Sequence, residues 1–470
     1  MKNLKVDVCV IGAGSGGLSV AAGAVQLGAS VVLIEAHKMG GDCLNFGCVP
    51  SKALLAAAAK ARAMDGGFGV AGVQPQIDYA AAKDHVKNVI ATIAPVDSQE
   101  RFESMGVIVV RAYARFLSPT EVEAGDMRIS ARRFIIATGS TPFVPPIPGL
   151  ADVPYLTNET IFELRDRPDH LIVIGGGPIG MEMAQAHRRL GCKVTVIEGA
   201  RALGKDDPEM AAVVLDNLRA EGVDILEDAP AAQVRAAQGA IEVVITDGRV
   251  VQGSHLLIAV GRKANLDQLN LAAAGVEFDR GGLKVDARLR TTNRRIYGVG
   301  DVAGRLQFTH VAGYHAGVVI RQILFGLPAK AATRHIPWAT YTDPELAQVG
   351  MTEAEARKAY GHALTVVRFP YHENDRAIAT GKTQGLIKVM VAKGKPIGVS
   401  IAGAQAGELI GLWALAIANN LKMSAIAGTV LPYPTLNEVS KRAAGAYFSP
   451  KLFDNLTVKR VVRLVQSVLP

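Results

Sequence analysis

Four cysteines in 470 residues are too few to staple a secreted scaffold. A reducing cytoplasm is therefore the expected setting, and any cysteine pair reads as catalytic before it reads as structural. Aromatic residues are sparse, at 5%, and no stripe of interleaved basic and aromatic side chains occurs, so the formal charge of +8 reads as a solvated surface that attracts anionic cofactors. Nucleic acid is not expected as a partner. The longest apolar run, Leu409 to Ala418, is about half of a membrane span and reads as a buried helix. No charged leader precedes the strand-like Val6 to Ile11, so no export is expected. What is present is 49% hydrophobic residues against 20% charged, in a chain long enough for about three domains.

Two glycine turns carry the first functional signal. Val6 to Ile11 leads into Gly12-Ala13-Gly14-Ser15-Gly16-Gly17, an Ala-rich helical stretch, and Ala29 to Glu35. In this order of strand, turn, helix, strand and acid, Gly12 makes the tight turn, Gly14 admits a pyrophosphate to the backbone, and Gly17 lets helix and strand pack closely. The helix N-terminus then faces phosphate, and Glu35 accepts hydrogen bonds from a ribose. The pattern returns at Leu171 to Gly180, with Gly175, Gly177 and Gly180 in the three roles and Glu198 closing the next strand. In both copies the acid falls 23 residues after the first glycine. Two facing dinucleotides suit hydride transfer between a nicotinamide and a flavin. Phe134 to Gly139 and Thr291 to Asp301 bracket the second copy, which is therefore read as inserted into the first.

A cysteine pair follows the first turn, in Gly40-Gly41-Asp42-Cys43-Leu44-Asn45-Phe46-Gly47-Cys48-Val49-Pro50-Ser51-Lys52. On a regular helix Cys43 and Cys48 would stand about 8–9 Å apart by Cα, beyond the reach of about 7 Å for a disulfide. A bridge requires the segment to distort, which Gly47 allows, and a short strained bridge is easily reduced. Zinc is the alternative, but no second Cys/His pair stands at ligand spacing, and no metal site is expected. Cys9 and Cys192 sit in apolar contexts and read as inert core residues.

Together these residues resemble the flavoprotein disulfide reductases, the group of dihydrolipoamide dehydrogenase, glutathione reductase and mercuric reductase. The resemblance runs through Gly40 to Lys52, Ala137-Thr138-Gly139, Gly175 to Gly180, Ala259-Val260-Gly261-Arg262, Gly300-Asp301, Tyr341 to Glu345 and Tyr433 to Glu438. It implies an α/β fold with two Rossmann-like dinucleotide domains and an α+β dimerisation domain. The FAD domain would comprise 1–150 and 276–340, the nicotinamide domain 151–275, and the dimerisation domain 341–470. FAD would lie at the first turn, touching Gly41, Ala137, Thr138, Gly139, Gly261, Arg262, Gly300 and Asp301. NAD(H) would lie at the second, with NADP(H) left open by Arg201. The resemblance further implies Cys48 as the sulfur beside the flavin, Cys43 as the outer sulfur, and Lys52 with Glu182 as an ion pair near the reactive flavin nitrogen. Tyr433 and Glu438 would reach the active site of the other subunit of a homodimer.

The sequence departs from this pattern at Tyr433, where disulfide-acting members carry His, while Glu438 is kept. Mercuric reductases also carry Tyr there, but their C-terminal cysteine pair and front metal-carrier domain are absent from this sequence. The expected acceptor is a thiol, a disulfide or a thiol-reactive metal ion, with an altered dihydrolipoamide dehydrogenase or a redox-sensing scaffold as alternatives. His310 and His315 read as structural groups. Finally, Lys451 to Pro470 mixes Leu452, Phe453, Leu456 and Val461 with Lys459, Arg460 and Arg463, as a basic amphipathic helix does. It reads as packing on its own oligomer, with a membrane surface or protein partner as the alternative.

Overall fold

The computed structural model describes residues 2–304 and 306–469, so Pro470, the end of the basic segment, lies outside the described residues. The chain divides into two compact units, Met1–Gly199 with Leu226–Ala332 and Ala200–Ile225 with Thr333–Pro470.

In the first unit the apolar strand Lys2–Ile11 is central to a mostly parallel sheet. Val31–Ile34 and then Ile108–Val110 pair on one side of it, Met127–Ile136 on the other. Val8 and Val10 share a buried cluster with the helix residues Leu18, Ala21 and Val319 on one face, and Cys9 shares one with Phe116, Val122 and Leu269 on the other, so all three are fully buried. Ile296–Gly298 returns from far along the chain to pair in parallel with Met127–Ile136. A second parallel set, Lys193–Ile197, His170–Ile174 and His255–Ile258, is therefore enclosed within the first by sequence. Three antiparallel strands, Ala231–Ala237, Ala240–Ile245 and Val250–Gly253, accompany it.

The second unit is built on a five-stranded antiparallel sheet ordered Pro337–Thr340, Glu345–Gly350, Lys395–Gly403, Leu386–Ala392, Leu364–Pro370. The apolar run expected to be a buried helix lies in Ala406–Ala418. It buries Leu409, Ile410, Trp413, Ala416 and Ile417 but leaves Leu415 exposed, so the burial is one-sided. Trp413 Nε1 donates to Ser440 Oγ at 3.1 Å, which satisfies the indole inside the core. Helix Pro208–Ala220 also belongs to this unit. The buried Lys388 ammonium meets Asp207 at 2.7 Å, Glu209 at 2.6 Å and Glu353 at 2.9 Å, so a charge taken out of water is fully surrounded by carboxylates.

The single amphipathic helix expected from Lys451 is instead two, Ser449–Phe453 and Leu456–Val468. Asn455 makes the break: its side-chain oxygen accepts from the backbone N–H groups of Thr457 and Val458, starting a new helix. Among the described residues no helix is long and apolar enough to cross a membrane.

Candidate active site

The two glycine turns are superimposable in their logic. Gly12 and Gly175 have φ of 103° and 113°, and a Cβ on either would lie 2.4 Å from the carbonyl oxygen of Ala137 or Ala259. A Cβ on Gly17 would stand 1.8 Å from the Gly12 carbonyl oxygen, and one on Gly180 would stand 2.0 Å from that of Gly175. The middle glycines differ: a Cβ on Gly177 meets nothing within 4 Å, and one on Gly14 meets only Gly41 Cα at 3.9 Å. Each begins a helix with no side chain capping it, which leaves backbone N–H groups for phosphate oxygens. These cradles fit two dinucleotides. Glu35 accepts from the N–H groups of Ala13 and His37, each at 2.7 Å, and Glu198 accepts from Gly176 N at 2.7 Å, so each acid sits beside its turn. Gly17→Val is expected to lower bound flavin at least about tenfold, because backbone would have to move to admit the side chain. The ratio of flavin to protein absorbance checks this, and a fully yellow variant would contradict it.

The cysteine segment is distorted as the spacing requires. Gly41–Asn45 and Cys48–Ala63 are separate helices broken at Phe46-Gly47. Cys43 is half-buried, Cys48 is exposed, and the two thiols hydrogen-bond to each other. The Cys48 thiol is pulled down to about 6, mainly by the hydrogen bond from Cys43, with Thr309 and the Lys52 charge adding. Thr309 Oγ1 lies 3.4 Å from Cys48 Sγ. The Cys43 thiol is pushed up by the same hydrogen bond and by burial, so the shared proton belongs to Cys43. One turn after Cys48 on the same helix, Lys52 Nζ meets Glu182 Oε2 at 2.8 Å, Glu182 being buried on helix Pro178–Arg189. The expected ion pair is thus formed.

A polar chain runs from this segment to Asp301. Arg262 Nη2 meets Asp42 Oδ1 at 3.0 Å and donates to the Ser140 carbonyl at 2.7 Å, while its Nε donates to Ser140 Oγ at 2.7 Å. Ser140 Oγ donates in turn to Asp301 Oδ2 at 2.5 Å. Asn158 Nδ2 donates to Asp42 Oδ1 and to the Phe46 carbonyl, both at 3.1 Å. Burial raises the Asp301 carboxyl against these partners. Thr138 and Asn265 hold each other through reciprocal bonds, with Thr138 Oγ1 donating to the Asn265 carbonyl at 2.6 Å. A Cβ on Gly139 or Gly261 would meet open space, whereas Gly41 packs on Gly14, where a Cβ would be 2.7 Å from Gly14 Cα.

In the second unit Tyr433 is exposed, and its hydroxyl donates to Asp375 Oδ2 at 3.0 Å. That carboxylate raises the phenol further, since it stabilises the protonated form. Among the described residues, Glu438 Oε2 is buried without a hydrogen-bond partner, as are Thr435 Oγ1 and Asn437 Oδ1.

Residues 6–316 match the pyridine nucleotide-disulphide oxidoreductase family, and 336–444 match the dimerisation domain of those enzymes. The chain belongs to this family. It is 35% identical over 451 residues to the mercuric reductase of Bacillus cereus, covering 94% of this chain and 71% of that protein. It is 36% identical over 461 residues to the dihydrolipoyl dehydrogenase of Thermus scotoductus, covering 94% and 97%. Among solved structures, the Cu(II) complex of the HOCl-induced flavoprotein disulfide reductase RclA from Escherichia coli matches at TM-score 0.85 and 27% identity, covering 95% of this chain and 99% of that one. LpdA from Mycobacterium tuberculosis matches at TM-score 0.86 and 28% identity, covering 94% and 99%.

Within this pyridine nucleotide-disulphide oxidoreductase, a homodimer by its dimerisation domain, the structure adds residues that no local motif announced. Thr309 reaches Cys48 from 261 positions away, Ser140 ties Arg262 to Asp301, and Asp42, held by Asn158, pairs with Arg262. Ser140, which directly follows Ala137-Thr138-Gly139, and Asp42, which directly precedes Cys43, had a neighbouring signal; Thr309 and Asn158 had none. Of the histidines, His315 Nδ1 accepts from Gly300 N at 3.3 Å and is lowered by burial, a structural use. His310 is exposed and stacks on Phe308 with centroids 5.4 Å apart.

Proposed function

We propose that this oxidoreductase takes electrons from NADH and delivers them through FAD and the Cys43–Cys48 pair to a thiol-reactive acceptor, a disulfide or a soft metal ion, in the cytoplasm. The observation that carries this reading is the Cys43–Cys48 pair itself, two free thiols hydrogen-bonded to each other across a helix break, an arrangement that pulls the Cys48 thiol down and pushes the Cys43 thiol up. Opening a Cys43–Cys48 disulfide takes two electrons and one proton and leaves one thiolate and one thiol, and the structure stabilises that distribution. Bound FAD would supply the electron pair after accepting hydride from the nicotinamide. The residues placed to hold it are Gly12, Gly14, Gly17, Glu35, Ala137, Thr138, Gly139, Gly300 and Asp301, and those for the nicotinamide nucleotide are Gly175, Gly177, Gly180 and Glu198. Lys52, fixed by Glu182, supplies positive charge four residues from Cys48, where it favours the Cys48 thiolate. Cys43 must give up its proton to attack an acceptor, and Tyr433 and Glu438 of the partner subunit are the proposed groups at that step.

The mercuric reductase and RclA similarities support a metal ion as acceptor. The dihydrolipoyl dehydrogenase similarity supports the second reading, a dithiol substrate with an altered acid–base group. Steady-state oxidation of NADH with lipoamide, glutathione disulfide, Hg(II), Cu(II) and quinones separates them. Turnover with none of the thiol-reactive acceptors would end the proposal.

Glu198 sets the expected nucleotide preference. Its carboxylate suits a ribose hydroxyl and repels a 2′-phosphate, so kcat/KM for NADH should exceed that for NADPH by at least about tenfold. Paired kinetics check this, and a preference for NADPH would give the deciding role to Arg201.

A further inference from the structure

We infer that helix Leu456–Val468 seats the protein on the surface of an anionic phospholipid bilayer. Among the described residues little of the chain covers the helix: Val461, Val462, Val465 and Val468 are all exposed, Val468 by 72%, while the exposed Leu456 and Leu464 fall beside Arg463 and Arg460 rather than on the valine side. Such a surface is not left bare in water without a use. At 100° per residue Val458, Val461, Val462, Val465 and Val468 share one side, and Lys459, Arg460 and Arg463 share the other with Gln466 and Ser467. The helix is roughly 20 Å long, too short to span a bilayer and suited to lying along one.

Charge selects the occupant. No carboxylate occurs from Leu456 to Leu469, and the chain as a whole carries +8, so a second copy would bring the same sign to the helix. An anionic headgroup layer brings the opposite sign at the same depth as the valine face meets acyl chain, and the long Lys and Arg side chains reach up to it. The match to the dimerisation domain ends at 444, so the helix follows the region that carries the homodimer. Leu452 and Phe453, on the short helix just ahead of Asn455, are exposed as well.

The test uses the full-length flavoprotein and sucrose-loaded vesicles of phosphatidylcholine, with and without phosphatidylglycerol. The protein should sediment with the mixed vesicles, stay in solution with phosphatidylcholine alone, and be released by high salt. The triple variant Lys459→Gln, Arg460→Gln, Arg463→Gln should weaken partition about 100-fold. The double variant Val461→Asp, Val465→Asp should abolish it, with flavin reduction by NADH and the molecular mass by light scattering unchanged. Failure to sediment with the mixed vesicles overturns the inference. So does equal sedimentation with both vesicle types, and so does a fall in molecular mass in the valine variant, which would give the apolar face to a second copy.

Discussion

Replacing Cys48 with Ser is expected to lower turnover of any disulfide or metal acceptor by at least about 10³-fold, while reduction of the flavin by NADH proceeds at the native rate. Without Cys48 no intramolecular bridge forms, and the electron pair has no covalent route out. The two-electron-reduced native enzyme should show a long-wavelength thiolate-to-flavin band, and the pH dependence of that band follows from the Cys48 value. The thiol is depressed to about 6, so the thiolate dominates above that pH and declines about tenfold per unit below it. Cys48→Ser should abolish the band. Cys43→Ala should keep it but move its midpoint upward, because the hydrogen bond from Cys43 is the largest influence holding the Cys48 thiol down. Anaerobic titration across pH 4–9 decides between these assignments; identical spectra from the two variants would overturn the division of roles between the sulfurs.

The second large effect concerns Tyr433. A phenol near ~10 accepts a proton at neutral pH far less readily than an imidazole near ~6.5. The hydrogen bond to Asp375 pushes this phenol further from usefulness as a base. General acid–base help is worth about 10²–10⁴-fold, so native dihydrolipoamide oxidation should be slow, and Tyr433→His should raise it by at least about tenfold. Glu438, whose charge bears on the Tyr433 hydroxyl and whose Oε2 is buried without a hydrogen-bond partner among the described residues, is the acceptor proposed for an imidazole N–H at 433. Flavin reduction by NADH should not change, which separates a gain in proton transfer from a general change in the enzyme. Stopped-flow flavin reduction and steady-state dithiol turnover on both forms provide the check. Rapid native turnover that the histidine variant does not improve would place the base elsewhere.

The parts of this protein that were legible in sequence are those whose physics is local. Gly12, Gly17, Gly175 and Gly180 sit where a single added carbon collides with backbone a few residues away or with the adjacent strand end, so the residue type records the geometry. The break between Cys43 and Cys48 followed from the reach of a disulfide compared with helical rise. Pairings across long sequence separation left no such trace: Thr309 is an ordinary helix-starting residue until the fold brings it to Cys48. Asp375, which fixes the hydroxyl of Tyr433, lies 58 residues away in a short helix with no motif. Helix Pro208–Ala220 buries Met210, Val214 and Leu218 at helical spacing, a periodicity that does not say which sheet the apolar face meets. The C-terminal segment reads as one helix because its composition is uniform, whereas Asn455 acts through a local hydrogen bond that competes with helix continuation.

The carboxylates around Lys388 make the dimerisation half dependent on an earlier stretch of chain. Asp207 and Glu209 are synthesised about 180 residues before the lysine they neutralise, and helix Pro208–Ala220 has to wait for the strands it will cover. A protein cut at Thr333 would keep every strand of the five-stranded sheet yet leave Lys388 with Glu353 as the sole survivor of its three carboxylates. The sequence-continuous block at the C-terminus is therefore not an autonomous module. Its folding and its capacity to dimerise are tied to the stretch 200–225, so exchanging dimerisation blocks between relatives would succeed only if those residues travelled with them.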